Sequence, residues 1–171
     1  MKRLIVLCII FVLVISTVGC KHQENSLTDI LSDKISFVNE SGDTVHLKEY
    51  RSTDYPDLNI TPQKYAFVDF DNDGSDELVI YASPEFGLYL VFHRYHEKIY
   101  AFEFTERAMI NLKQDGTFIQ SDSAFINTYA KLIFINNKLN IYEEAYRNDS
   151  ENIYRINGEV KTFDDIKKYE N

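Results

Sequence analysis

The chain has 171 residues and a formal charge of −9, with 27 acidic against 18 basic side chains. Such a field repels phosphate backbones and anionic headgroups, so nucleic acid and direct adsorption to acidic lipid are disfavoured, and divalent cations are the natural counter-partner. Its aromatics are 12 Tyr and 12 Phe with no Trp, a composition suited to half-buried strands.

Lys2 and Arg3 precede an uncharged apolar run, Leu4 to Val18, which closes on Thr17-Val18-Gly19-Cys20. A spanning helix needs roughly 20 apolar residues. This run is shorter and ends in small residues, the shape of a secretory signal; an uncleaved anchor helix is the alternative. The last four residues resemble a bacterial lipobox, with Thr17 where Leu is usual. That resemblance implies cleavage before Cys20 and a diacylglyceryl group on its thiol. The cysteine arithmetic agrees: Cys8 lies in the segment to be removed, which leaves Cys20 with no partner for a disulfide. Each buried lipid CH₂ contributes about 0.8 kcal/mol, and two or more acyl chains make the anchoring stable. The expected organisation is a signal peptide over 1–19, a lipidated Cys20 with a polar tether to residue 25, and one extracytoplasmic domain over 26–171. About 150 residues remain after cleavage, one ordinary domain by length.

Within that domain, Ser26-Leu27-Thr28-Asp29 is expected to cap a short helix with Leu27, Ile30 and Leu31 on one face. Ile35–Val38 and Thr44–Leu47 read as strands around a turn at Asn39–Asp43. Arg51 to Pro62 carries two of the three prolines and reads as an irregular connection. From Tyr65 the pattern is period-two. The expected strands are Tyr65–Asp69, Glu77–Ala82, Gly87–Arg94, Lys98–Thr105, Ala108–Lys113, Thr117–Ser121, Ala124–Ile135, Lys138–Tyr146, Asn152–Ile156 and Glu159–Val160. Asp115-Gly116, Asn136-Asn137 and Asn157-Gly158 supply residues that tolerate positive φ in tight hairpins. Thr162 with Asp165 forms a variant capping box for a terminal helix reaching about Tyr169. The fold class is therefore mainly β (α+β): an antiparallel β-meander, open or partly closed, with short N- and C-terminal helices.

One segment carries chemistry. Asp69-Phe70-Asp71-Asn72-Asp73-Gly74-Ser75-Asp76-Glu77-Leu78 reads D-x-D-x-D-G-x-x-E-L. Calcium takes roughly six to eight oxygens at about 2.3–2.6 Å from a loop that folds around it. Carboxylates at Asp69, Asp71 and Asp73 point inward when the chain coils, Gly74 permits the bend, Ser75 offers its carbonyl and Glu77 adds a further oxygen. The expected metal ligands are thus Asp69, Asp71, Asp73, Ser75 and Glu77, holding one structural Ca²⁺. The same residues also suit an acidic turn without a tight ion, since Asp and Gly are good turn formers.

The first six positions resemble an EF-hand loop, but Ile80 stands where its bidentate Glu would fall. The loop is more similar to the β-hairpin calcium loops of FG-GAP and integrin-type repeats, where an apolar strand follows directly, as Leu78-Val79-Ile80-Tyr81 does. Glu77 replaces their usual Asp, and a single copy covers one loop and no propeller. More broadly the chain resembles uncharacterised small lipoproteins of Bacillota. The likeness rests on Tyr65–Ile80 (YAFVDFDNDGSDELVI), on Tyr100-Ala101-Phe102, Arg107-Ala108-Met109 and Leu112–Phe118, and in part on Ser121-Asp122-Ser123-Ala124. It spans roughly Leu31 to the C-terminus and implies no activity.

Other residues invite less. His93 and His96 are expected at surface or edge positions and on opposite faces. Glu103, Glu106 and Arg107 could be drawn as a glycosidase-like carboxylate pair, yet an exposed ion pair is commoner. Glu143-Glu144 reads as a solvated strand edge that guards against aggregation. No G-x-S-x-G, H-E-x-x-H, C-x-x-C or Walker loop is present, so no catalytic residue is assigned. Tyr and Phe are expected to fill the core, or else to line a groove for a peptide, glycan or envelope protein. The expected function is a monomeric, membrane-anchored, non-enzymatic binding or structural module stabilised by calcium, whose partner is an unknown envelope protein or glycan. The alternative is an exported hydrolase or carbohydrate-binding protein using an acidic cleft.

Overall fold

The computed structural model describes residues 27–83 and 87–170. The signal peptide, Cys20, the tether and the Ser26 cap expected from sequence lie outside these residues. Among the described residues no helix is long and apolar enough to cross a membrane.

The protein is mainly β, built as two open, mostly antiparallel sheets. The first contains β1 (Phe37–Val38), β2 (Thr44–Val45), β3 (Lys64–Val68), β4 (Glu77–Ser83), β5 (Leu88–Tyr95) and β6 (Lys98–Thr105), in the order β2-β1-β6-β5-β4-β3. The second contains β7 (Thr117–Ser121), β8 (Ile126–Ile135), β9 (Lys138–Asn148), β10 (Ile153–Ile156) and β11 (Glu159–Val160), in the order β11-β10-β9-β8-β7. Both are meanders of consecutive hairpins. The exception is β1, which joins β6 in parallel through Val38↔Tyr100. Two-residue turns close three hairpins, each opening on a left-handed residue: His96 (φ +55), Asn136 (φ +59) and Asn157 (φ +49).

Period two sorts the side chains into layers. Leu78, Ile80 and Ala82 of β4, with Leu88, Leu90 and Phe92 of β5, face an outer core. That core is covered by Leu27 and the α1 residues (Thr28–Leu31) Ile30 and Leu31, which pack as expected, and by Leu47, Tyr50 and Ile60 of the irregular segment between β2 and β3, where the expected strand Thr44–Leu47 ends at Val45. Val79, Val91 and Phe104 point the other way and meet Phe118, Ala130, Leu132 and Phe134 of the second sheet. The central strands are thus buried on both faces, which is why Leu78–Ala82 and Leu88–Phe92 read as continuous apolar runs rather than clean alternation. The far face of the second sheet packs Tyr129 and Ala145 against Ile166 of α2 (Phe163–Ile166). Thr162 and Asp165 close the reciprocal capping box at the start of α2, and a 3₁₀ turn at Lys167–Tyr169 completes the expected terminal helix.

One expected strand is replaced. Ala108–Lys113 forms no strand: a 3₁₀ turn spans Glu106–Ala108, and the segment pairs only through the isolated bridge Ile110↔Ile119 and the Lys113 N–H donated to the Thr117 carbonyl. Met109 drives into the inter-sheet core at 1% exposure, and Asn111 turns left-handed (φ +53), so the backbone cannot stay extended. This irregular passage carries the chain from the first sheet to the second.

Candidate metal centre

The acidic loop connects edge strand β3 to β4, and two features of its sequence shape it. Asn72 (φ +59) and Gly74 (φ +88) are both left-handed, and this alternation coils the chain. A Cβ on Gly74 would meet no atom within 4 Å, so glycine is used there for its conformation and not for space. The second feature is Phe70. Fully buried, it plugs the loop into the inter-sheet core beneath the acidic residues.

The coil brings carboxylate oxygens of Asp69, Asp71 and Glu77 within 4.8 Å of one another. Asp69 also organises the turn: its Oδ1 accepts the Asp73 N–H at 3.1 Å and its Oδ2 the Gly74 N–H at 3.1 Å. Asp73, expected as a ligand, turns its Oδ1 to the Ser75 N–H at 2.7 Å and lies outside the three-carboxylate group. Beside the loop a shallow cavity of about 430 Å³ is lined by Asp69, Asn72, Asp76 and the Asp115 turn.

Glu77 differs in kind from the exposed aspartates. It is 1% exposed and each of its oxygens has a partner. Oε2 accepts the Phe70 N–H at 3.1 Å, and Oε1 lies 2.9 Å from His93 Nδ1. Burial pushes its carboxyl above the ordinary range, and the Asp71 charge pushes the same way, against the hydrogen bonds from His93 and Phe70.

His93 is a correction to the sequence reading. Expected at the surface or a strand edge, it is 5% exposed and stacks on Phe134 at 4.1 Å between ring centroids. Its Nε2 lies 3.0 Å from the Asn136 carbonyl in the β8–β9 turn. A carbonyl only accepts, so Nε2 carries a proton. Nδ1 and Glu77 Oε1 then share one proton between them, as neutral His with protonated Glu or as imidazolium with carboxylate. Either arrangement leaves the pair without net charge, which is what burial demands. Strand parity could have found this residue: His93 falls in step with Val91 and Tyr89, on the inner face of β5.

The remaining candidates do not assemble. His96 sits in the β5–β6 turn, away from His93. Glu103 accepts hydrogen bonds from Tyr50 (2.7 Å) and Ser52 (2.6 Å), anchoring the irregular segment, while Arg107 donates to the Ser121 carbonyl. Glu106 packs over Gly87, where a Cβ would come within 2.2 Å of its side chain. Glu143 is exposed and Glu144 half-buried beside a β-bulge. Comparison with protein-family models, curated proteins and solved structures found no match to this chain.

Proposed function

We propose that the protein is a lipid-anchored module on the outer face of a membrane, non-enzymatic, whose Asp69–Glu77 loop takes one Ca²⁺ as a structural clamp. The observation that carries the calcium reading is the convergence of Asp69, Asp71 and Glu77, with Glu77 buried and wired through His93 to the second sheet. The donors are all hard carboxylate oxygens, the set that suits calcium or magnesium and not soft-metal chemistry. A bound cation would supply charge neutralisation among the three carboxylates. That neutralisation would favour the ionised form of Glu77 against its burial. The anchor reading rests on Cys20 and its lipobox-like context.

The calcium reading is tested by thermal melts of the full chain with Ca²⁺ and with EDTA, beside Asp71→Asn. A ligand that binds only the folded state raises the midpoint by mass action. A calcium-dependent rise that Asp71→Asn loses is the expected result; superimposable curves would remove calcium from the proposal. The anchor is tested separately by metabolic lipid labelling of Cys20→Ser, which should carry no label and keep its signal.

A further inference from the structure

Where the β1–β2 turn approaches the β8–β9 turn, a cleft of about 590 Å³ opens between the sheets. Its walls are strand edges. β5 covers β6 along its whole length, but on the other side β1 pairs with it only at Val38↔Tyr100. Across the cleft, β8 runs the length of β9, while β10 pairs with β9 only from Ala145 to Asn148. Among the described residues, then, no strand covers β6 beyond Tyr100 or β9 before Glu144. An open edge is a template for another extended chain.

Details of the cleft say what kind of chain fits. The outward amide of Glu103 donates to the Glu40 carboxylate, N to Oε2 3.1 Å, where a neighbouring strand would bring a carbonyl. Glu40 is an exposed turn residue, so this substitute can be exchanged. The floor is apolar, with Phe102, Phe104 and Leu139. Ile141 sits opposite Leu132 and so faces the other sheet, yet it is 48% exposed, an inward apolar side chain left without cover. Glu40 makes the β6 wall acidic; the Glu103 carboxylate turns to the outer face of the sheet, where the Tyr50 and Ser52 hydroxyls donate to it. Lys138 is the cation on the opposite wall.

We propose that this cleft takes an extended, basic segment of a partner protein, added as a strand along the β6 edge. Its apolar side chains would rest on Phe102 and Ile141, and a Lys or Arg would meet Glu40. This gives the lipid-anchored module proposed above a ligand and needs no cation in the Asp69–Glu77 loop.

The probe is a short labelled peptide of alternating Val and Lys, read by fluorescence anisotropy against the full chain in detergent, with Ca²⁺ and with EDTA. Running both conditions separates a failure of the cleft from a failure of the loop. Saturable binding is expected, with slowed amide exchange at residues 101–105. Backbone N-methylation at alternate residues should abolish binding while leaving the peptide charge intact. Glu40→Lys should weaken it by about tenfold or more, the loss of one charge-assisted contact. Ile141→Asp, on the opposite wall, should weaken it independently should Glu40→Lys disturb the turn. No binding, equal binding of a Val–Glu peptide, equal binding of the N-methylated peptide, or protection confined to the β3 edge would each overturn the proposal.

Discussion

Glu77 and His93 face each other one step beyond the Leu78↔Phe92 pair of β4 and β5, with Oε1 and Nδ1 2.9 Å apart. The contact is buried and extends in both directions. Through Oε2 it holds the Phe70 amide at the start of the acidic loop, and through Nε2 it reaches the Asn136 carbonyl of the second sheet. A loop that sequence presents as a surface hairpin is thereby tied to the packing of the two sheets. Ordering the loop and ordering the sheet interface become one event.

This connection separates the structural from the metal-binding role of Glu77. In Glu77→Gln, the amide oxygen can still accept from Phe70, and the NH₂ can donate to Nδ1 of a neutral His93. The variant should melt within a few degrees of the native chain in EDTA and lose most of its calcium-dependent rise. Differential scanning calorimetry in both buffers checks it. An unchanged rise with calcium would show that Glu77 contributes nothing to cation binding.

Removing one member of the pair outright is a different experiment. Glu77→Leu leaves Nδ1 of His93 buried without a partner, and His93→Leu leaves a buried carboxyl facing apolar carbon; breaking a buried pair costs about 3–5 kcal/mol. The double variant removes both desolvation penalties, so its loss should fall well short of the sum of the singles. Urea unfolding of all four chains measures this coupling. Strict additivity would mean the two side chains do not support each other.

Phe70 should carry the loop's mechanical attachment. Phe70→Ala opens a cavity between the sheets at a cost of about 3–5 kcal/mol and should raise amide exchange across residues 69–76. A gentler probe is Gly116→Ala. Gly116 is left-handed (φ +78), and an added Cβ would lie 3.3 Å from Phe70 Cβ and 3.4 Å from the Leu132 carbonyl. The conformation alone costs about 1–2 kcal/mol in a residue with a Cβ. A Gly116→Ala chain as stable as the native one would show that this turn yields freely.

Most strands were legible because period-two alternation and Asn/Gly turn residues act locally, as at Asn136-Asn137 and Asn157-Gly158. The division into two sheets was not, because alternation states which face a residue takes and not which strand lies opposite. The parallel β1–β6 pair depends on a contact between distant segments, with nothing local to announce it. The acidic loop stood out through its spacing, and the structure gathers Asp69, Asp71 and Glu77 from it. Phe70 and His93 were passed over for a common reason: each is a single side chain whose meaning comes from burial. For His93, the inward parity of Val91 on the same strand was the available sign. A buried histidine then calls for an acid, and Glu77 sits on the adjoining strand.

Stability should fall on the acid side through aspartates held by partners. Hydrogen bonds from Arg147 hold the Asp149 carboxyl below its ordinary 3.8, and its charge and Tyr154 add to this against some burial. Thr117 likewise lowers Asp115 through its hydroxyl and its amide. As pH drops below about 4, the unfolded chain takes up these protons before the native one does, so the contribution present at neutral pH is lost on the way down to the native values. Glu77 acts with the opposite sign: its raised native value favours the fold at low pH, and that share is lost as pH rises through it. Asp149→Asn should therefore be slightly less stable than the native chain at about pH 6, and the two should converge as both are titrated below about pH 3. Urea midpoints collected across that range decide the matter. Parallel curves would show that the Arg147–Asp149 contact does not survive in solution, and that another group, Asp115 first, carries the acid limb.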